Sequence, residues 1–230
     1  AVKFLLPHLQ HDTEARASFE REGQTALSFR HECLLDVLQV GTNDAQEKFM
    51  ISEYMSEGSV RDTLARQGAL PFPEVRDICL DLASGLAYLH KRKVVHRDVK
   101  PSNIFRHGER TVLGDFGIVK GLDRGSAEST GFTVGTPGYM APEHFRGRTE
   151  PRSDQYALGV VLVECLSGRV MFDNEDPLAL AHMTEEERLK PLEFLPGDLP
   201  ETARSAISRM LSYLPEERYG DVLEAAGEFS

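Results

Sequence analysis

The chain has 230 residues, of which 40% are hydrophobic, enough to bury the core of one large domain or of two packed lobes. Its formal net charge of −11 at pH 7 argues against binding to nucleic acid or to an anionic membrane surface. The three cysteines show no metal-ligand spacing. Cys79 and Cys165 lie in apolar helical patterns, which predicts buried thiols in a reducing compartment.

The first third of the chain predicts short strands beside one helix. Strands are expected over residues 1–6, 34–40 and 48–54, where short apolar runs are bounded by turn residues. A turn at 41–44 should join the last two strands, because it reads Gly-Thr-Asn-Asp. The helix is expected over residues 13–30, which place apolar side chains at helical spacing.

The remainder of the chain predicts mainly helices. Residues 75–89 carry apolar side chains at helical spacing, with Pro73 as an entry signal. A small hairpin is expected over residues 104–113. Two further helices are expected near the end of the chain, around residues 200–211 and 221–229.

The most apolar segment covers residues 153–167. Because it is apolar nearly all round, it predicts a buried helix, with Ser153 as its N-cap and Gly168 as its C-terminal stop. Its longest apolar stretch, residues 156–166, is shorter than the roughly 20 residues that a membrane span needs. No membrane contact by this domain is therefore expected.

Three motifs follow one another in the order that phosphoryl transfer requires. Residues 96–103 read HRDVKPSN, residues 115–117 read DFG and residues 141–143 read APE. They supply a carboxylate that can position a hydroxyl, a lysine that can meet phosphate charge, and an amide and a second carboxylate that can hold metal. Together they resemble the catalytic part of a eukaryotic-like Ser/Thr protein kinase. The sequence of residues 153–159 and 215–219 is similar to that of bacterial members of the family.

The resemblance implies an α+β, protein-kinase-like two-lobed fold with an incomplete small antiparallel β lobe and a mostly helical larger lobe. The small lobe would span residues 1–54 and hold a lysine strand, one helix and two further strands. A hinge would follow at residues 55–58. The helical lobe would span residues 59–230 and carry the catalytic loop and the activation segment, with the active site between the lobes.

The resemblance also assigns the chemistry of the second half. Asp98 would accept a hydrogen bond from the substrate hydroxyl and take its proton late in the reaction. Lys100 would reach the transferring phosphate. Asn103 and Asp115 would bind the Mg²⁺ that bridges the ATP phosphates, with Mn²⁺ as a possible substitute, because magnesium needs only one or two protein oxygen ligands.

Lys3 lies in Ala-Val-Lys, which resembles the lysine strand of the family. Its implied role is to pair with the α- and β-phosphates of ATP. Glu22 on the following helix is the preferred partner that would hold Lys3, and Glu20 on the same helix is the rival. An ordinary solvated charge pair is the alternative interpretation.

The strand before the hinge resembles the element that grips adenine. The resemblance gives Glu53 a backbone carbonyl and Met55 a backbone N–H that would bind the base. Ser52 would gate the pocket behind it, and its small side chain should leave that pocket open to ATP analogues enlarged at N6. Phe105 would pack beneath adenine and Ala1 above it, although Phe105 also suits a core position.

Residues 135–143 resemble the segment that seats a peptide substrate. Thr136 together with Lys100 is the pairing typical of Ser/Thr kinases. Arg97, beside the catalytic carboxylate, implies regulation by a phosphate on the loop that follows. The candidate acceptors for this phosphate are Ser126, Ser129, Thr130 and Thr133, with Thr130 preferred.

Three more residues have implied structural roles. Glu143 should meet Arg218 in a buried bidentate ion pair. Asp154, early in the buried helix, should anchor the backbone of the catalytic loop, because an unpaired charge would be too costly there.

The sequence departs from the family in one respect: no Gly-x-Gly-x-x-Gly loop occurs. Either the chain is a piece that starts after this loop, which is the preferred interpretation, or the protein lacks the loop. A piece without the loop should bind ATP poorly and turn over slowly.

The primary hypothesis is a kinase that transfers the ATP γ-phosphoryl group to protein Ser or Thr hydroxyls. The first rival is a catalytically impaired pseudokinase or scaffold, which the missing loop favours and the intact motifs oppose. The second is a kinase-fold enzyme acting on small molecules, which the APE segment opposes. The expected setting is cytoplasmic, including the cytosolic domain of a membrane receptor kinase, and a dimer could support autophosphorylation.

Overall fold

The computed structural model describes residues 1–115, 135–172 and 176–229. Its first part is a three-stranded antiparallel sheet in the order β1-β3-β2. The strands are β1 (Val2–Phe4), β2 (Val37–Thr42) and β3 (Lys48–Ser52). Helix α1 (Thr13–Leu27) packs on β2 and β3. It begins at a side-chain cap, because Asp12 accepts hydrogen bonds from the backbone N–H groups of residues 14 and 15.

The strand and turn boundaries differ from the predicted ones for local reasons. The predicted turn at 41–44 is wrong, because Gly41 and Thr42 pair with β3 and the turn lies over residues 43–46. There Asn43 Oδ1 accepts the N–H of Glu47 at 2.9 Å. The strand predicted from residue 34 begins only at 37, because the N–H of Leu35 bonds to the carbonyl of Leu113 instead of to the sheet.

The remaining described helices belong to a second, larger group that packs around one core. They are α2 (Val60–Gln67), α3 (Phe72–Lys91), α4 (Pro151–Ser167), α5 (Pro177–His182), α6 (Glu185–Leu189), α7 (Glu201–Met210) and α8 (Val222–Gly227). The sequence pattern predicted α3, α4, α7 and α8. It missed α2, α5 and α6, which have five to eight residues and too few turns to show a period.

Helix α4 is the centre of this helical group. Every residue from 153 to 166 is buried. The N-cap is Glu150 and not Ser153 as predicted, because Pro151 occupies the first helical position and Ser153 bonds back to the Glu150 N–H. Gly168 ends the helix, as predicted. Its φ is 67°, which favours glycine, and a side chain there would meet the backbone of Ala69 at 2.5 Å.

A hairpin connects this helical group to the sheet. Strands β4 (Ile104–His107) and β5 (Arg110–Leu113) pair antiparallel, as predicted, and β5 packs on α3. The cysteines at 33, 79 and 165 are free and buried. Within the described ranges, no helix combines the length and the apolar character that a membrane span requires. The α+β class is confirmed.

Candidate active site

A cavity of about 420 Å³ lies where the sheet faces the hairpin and the start of α2. The sheet contributes residues of β1 and β3, the segment after β3 contributes residues 53–55, and β4 contributes Phe105. The predicted nucleotide-site residues that line it are Ala1, Lys3, Glu22, Ser52, Glu53, Met55, Phe105 and Asp115. The structure therefore collects these side chains, which are scattered over more than 100 residues of sequence, in one cleft.

Lys3 lies between two carboxylates at the edge of this cleft. Its Nζ is 2.7 Å from Asp115 Oδ1 and 3.6 Å from Glu22 Oε1. Burial would lower the pKa of Lys3, but the two carboxylates outweigh it and its pKa lies above the ordinary value. Glu20, the rival partner, instead pairs with Lys48 at 2.8 Å.

Asp98 is surrounded by donors. Its Oδ2 is 2.8 Å from Lys100 Nζ and accepts from Asn103 Nδ2 at 3.0 Å, while Oδ1 accepts from the Thr136 hydroxyl at 3.0 Å. Burial alone would raise the pKa of Asp98, but the hydrogen bonds from these groups hold its pKa below the ordinary value. Asp98 is therefore an ionised acceptor at neutral pH.

Thr136 belongs to the segment that follows the undescribed residues 116–134. Its hydroxyl accepts a 2.7 Å hydrogen bond from Lys100 Nζ and donates to Asp98. Lys100 thus contacts both the carboxylate and the threonine. Segment 135–143 is in this way tied directly to the loop of residues 96–103, for which the sequence predicts the catalytic role.

Asp154 holds that loop from below. Its Oδ2 accepts the N–H of His96 at 2.8 Å and its Oδ1 accepts the N–H of Arg97 at 2.9 Å. His90 Nε2 donates a third bond at 2.8 Å. Burial would raise the pKa of Asp154, but the hydrogen bond and charge of His90 and the backbone donors keep its pKa below the ordinary value. Arg97 is held at φ 70°, a strained conformation for a side chain of its size.

His96 and Asn103 join the loop to the end of β5. His96 is fully buried, and its Nδ1 accepts the N–H of Asp98 at 3.4 Å while Nε2 donates to the carbonyl of Gly114 at 3.2 Å. Burial lowers the pKa of His96, which agrees with this neutral tautomer. The Asn103 carbonyl accepts the N–H of Gly114 at 2.8 Å, next to Asp115. Asp98 and Asp115 are thereby fixed relative to each other.

The segment after β3, residues 53–55, lines the cavity. The N–H of Glu53 is used by the carbonyl of Asp36, and its side chain pairs with Arg110 at 2.8 Å. The hydroxyl of Ser52 donates to the Glu53 carbonyl at 3.2 Å. The N–H of Met55 donates to no residue in the described part of the chain, so it can donate to a ligand.

The pair between Glu143 and Arg218 is buried and complete. Two parallel hydrogen bonds of 2.7 and 2.9 Å join the side chains, and Ser153 donates a further bond to Glu143 at 2.7 Å. The remaining guanidinium N–H groups of Arg218 bond to the carbonyls of Ser212, Arg152 and Tyr213. Despite burial, the bonds from Arg218 keep the pKa of Glu143 below its ordinary value.

The sequence interpretation missed one network in this region. The Tyr139 hydroxyl donates to Glu164 Oε2 at 2.8 Å and accepts from Arg61 on α2. Burial raises the pKa of Glu164, which is 2% exposed. Glu164, the acid within the apolar stretch 156–166, was the available signal, because such a charge needs partners. The network ties segment 135–143 to both α2 and α4.

The site residues fit the oxygen and nitrogen chemistry that ATP and Mg²⁺ require. The Nδ2 of Asn103 is used by Asp98, which leaves its amide oxygen available as a ligand. The second carboxylate oxygen of Asp115 is not engaged by Lys3, and its side chain is 42% exposed. Two such oxygens match the one or two ligands that a protein usually contributes to the coordination shell of Mg²⁺. Phe116, Gly117 and all four proposed phosphate acceptors, Ser126, Ser129, Thr130 and Thr133, lie outside the described residues.

A small antiparallel sheet over a helical body, with a lysine–glutamate pair above a carboxylate–lysine–amide loop, defines the protein-kinase-like fold class. Sequence comparison agrees: residues 1–226 match the family described as protein kinase domain. The chain belongs to this family.

The relatives are bacterial. A probable serine/threonine-protein kinase from Clostridium perfringens is 30% identical over 99% of this chain, which covers 33% of that relative. PknB from Mycobacterium leprae, a serine/threonine-protein kinase, is 31% identical over 97% of this chain and 37% of the relative. The chain thus spans about a third of the length of these relatives. The crystal structure of a PknI kinase domain variant from Mycobacterium tuberculosis has a TM-score of 0.72 at 27% identity, and the match covers 98% of this chain and 81% of that one.

Proposed function

We propose that this chain is the catalytic domain of a Ser/Thr protein kinase, which transfers the γ-phosphoryl group of ATP to a protein hydroxyl. The observation that supports it most directly is the arrangement around Asp98. A hydroxyl, that of Thr136, already lies within hydrogen-bond distance of both the Asp98 carboxylate and Lys100. These are the two groups that a reacting hydroxyl and a transferring phosphate need.

In this proposal Asp98 positions the substrate hydroxyl and takes up its proton. Its lowered pKa suits an acceptor that stays ionised until the proton arrives. Lys100 neutralises charge on the group in transfer. Asp154 acts through the backbone of residues 96 and 97 and is a positioning residue.

Asn103 and Asp115 would hold Mg²⁺, and Lys3, kept in place by Glu22, would meet the phosphates. The metal ion, when bound, supplies positive charge that neutralises the phosphates. In this proposal adenine lies between Phe105 and Ala1, which both line the cavity. Its hydrogen-bonding edge would meet the Glu53 carbonyl and the Met55 N–H. Residues 1–54, 55–58 and 59–230 are the proposed small lobe, hinge and helical lobe.

Further parts of the proposal concern regulation and setting. Arg97 would bind a phosphate carried by one of the loop hydroxyls, most favourably Thr130. The substrate would be a protein with exposed Ser or Thr, the location cytoplasmic, and autophosphorylation would take place within a dimer.

The test is transfer of labelled phosphate from ATP with Mg²⁺ to a generic basic protein. Asp98→Asn keeps the size of the side chain but removes the proton acceptor, so we expect activity to fall by roughly 10²–10⁴-fold. Asp77→Asn is the matched control, because Asp77 lies exposed on α3 and, within the described ranges, its ion-pair partner is Arg76.

Equal labelling by the unmodified chain and Asp98→Asn would contradict the proposal. Nucleotide binding without transfer in every variant would instead favour the pseudokinase alternative.

A further inference from the structure

A second cavity lies within the helical group. Its volume is about 290 Å³, and it is enclosed by the end of α3, the first turn of α4 and the segment that leads into α8. Apolar side chains provide much of the wall, from Ala87 on α3, Pro151 on α4, and Val222 and Leu223 on α8. Leu223 is 44% exposed, so this apolar surface is incompletely covered by the described residues.

The wall of this cavity is fixed by hydrogen bonds. The Gln155 side chain accepts the N–H of Tyr219 at 3.0 Å and donates to the carbonyl of Asp221 at 3.2 Å. Arg152 Nε donates to the carbonyl of Tyr219 at 3.1 Å. These bonds hold residues 219–221 against α4. The cavity is therefore formed before any ligand arrives, as is usual for small-molecule sites.

Two cationic side chains at the cavity lack acidic partners in the described part of the chain. Lys91 is exposed and forms no ion pair there, and the terminal nitrogens of Arg152 form none either. Asp221 is the acid that lines the cavity, but its Oδ1 already accepts the N–H groups of Leu223 and Glu224. Unpaired positive charge beside apolar surface is notable in a chain with a net charge of −11.

We propose that this cavity is a binding site for a small monocarboxylate with an apolar body. The apolar body would fill the space between α3, α4 and α8, and the carboxylate would meet Lys91 and Arg152. The volume lies at the low end of the roughly 300–1,000 Å³ typical of small-molecule sites, which limits the body to a compact chain or one ring system. A cation would be repelled, and a neutral ligand would leave both charges uncompensated.

The site shares a wall with the support of the catalytic loop. His90 lines the cavity and donates from Nε2 to Asp154, whose carboxylate also holds the N–H groups of His96 and Arg97. An occupant would therefore contact the residue next to the anchor of that loop.

The test uses decanoate as the probe and decanol as the neutral ligand of matched shape. Binding is measured by isothermal titration calorimetry on the whole chain, so the result does not depend on phosphoryl transfer. We expect decanoate to bind more tightly than decanol, and more weakly as salt concentration rises. Lys91→Gln should weaken decanoate binding by roughly 2- to 5-fold, as for a partly exposed ion pair, and leave decanol binding unchanged. Arg152→Gln also removes the bond to the Tyr219 carbonyl that holds the wall, so it should weaken the binding of both ligands, and that of decanoate more.

Lys91→Gln removes an exposed charge that has no acidic partner among the residues that the structure describes, so it should leave folding intact, and thermal unfolding checks this. Leu223→Glu, which places a carboxylate at the wall, should abolish decanoate binding, whereas Lys93→Gln, a nearby lysine that does not line the cavity, should have no effect. Absence of binding, equal affinity for decanoate and decanol, or indifference to both charge substitutions would overturn the proposal.

Discussion

The two charged clusters of the candidate active site differ in how deeply they are buried. Lys3 and Asp115 in the cleft have side chains that are 47% and 42% exposed. Asp154 below the catalytic loop and Arg218 beside Glu143 are almost completely buried, and hydrogen bonds satisfy them from several sides. Water screens the first cluster and is excluded from the second. The buried groups, Asp154 and the Glu143–Arg218 pair, should therefore contribute to stability. The exposed pair of Lys3 and Asp115 should contribute mainly to ligand binding.

The largest expected effect on stability is that of Arg218→Met. It leaves the buried Glu143 carboxylate without its bidentate partner and should cost about 3–5 kcal/mol of the free energy of unfolding. Urea denaturation measures this change. Arg76→Met, which removes a partner from the exposed pair with Asp77, is the control and should change stability by less than about 1 kcal/mol. Similar losses of unfolding free energy for the two variants would contradict the expected difference between buried and exposed ion pairs.

Asp154→Asn should have the next largest effect, because the N–H groups of His96 and Arg97 and the ring of His90 lose a charged acceptor. Hydrogen bonds to charged groups are each worth roughly 1.5–3 kcal/mol. The folded-state pKa of Asp154 lies below its ordinary value. The stabilisation is therefore present above the unfolded pKa of about 3.9 and is lost as pH falls through the folded pKa.

The difference in unfolding free energy between the unmodified chain and Asp154→Asn, measured from pH 7 downward, should shrink only in this acid range. A difference that stays constant down to pH 3 would contradict the prediction, because the unfolded chain takes up the proton below about pH 3.9. A difference that disappears near neutral pH would contradict an ionised Asp154.

Lys3→Met should separate binding from stability. Because Lys3 and Asp115 are both exposed by more than 40%, the change should alter the free energy of unfolding by less than about 1 kcal/mol. Affinity for an ATP analogue should nevertheless fall by roughly 10-fold or more, since a charge-assisted contact to phosphate is lost. Lys48→Met is the matched control, because Lys48 also lies in the sheet and pairs with α1 but does not line the cavity.

Ser52→Met should have the smallest effect on stability and should change only which ligands fit the cavity. Behind Ser52 the cavity continues to Ala26, Val37 and Met50, so a methionine would fill this space. Analogues of ATP enlarged at N6 should lose roughly 10-fold or more in affinity through steric exclusion, while ATP itself changes little. Unchanged affinity for the enlarged analogues would show that Ser52 does not gate this space, and Ser56→Met, at an exposed position outside the cavity, is the control.

Residues with a fixed local motif were predictable from the sequence. The HRDVKPSN motif places Asp98, Lys100 and Asn103 within six residues, and the structure keeps them in direct contact. Gly168 was predictable as a helix end, because its φ of 67° favours glycine.

Other features depend on contacts that one element alone does not contain. Two positions along α1 turn a side chain by about 200°, so Glu20 and Glu22 face different neighbours. Only the packing of α1 on β2 and β3 decides which of them meets Lys3. Arg61 and Tyr139 are 78 residues apart in the sequence, and Tyr139 and Glu164 are 25 residues apart. No local sequence pattern therefore predicts the network that they form. The cap of α4 was missed because Pro151 outweighs Ser153 as a start signal.

Thr136 has a consequence for how this site becomes ordered. Its hydroxyl provides one of the bonds that hold the pKa of Asp98 down, yet it belongs to a segment 38 residues further along the chain. Asp98 and segment 135–143 therefore assemble together. Any event that draws residues 135–143 away would also make the Asp98 carboxylate easier to protonate. Displacement of this segment would therefore impair the proposed acid–base step without any change in residues 96–103 themselves.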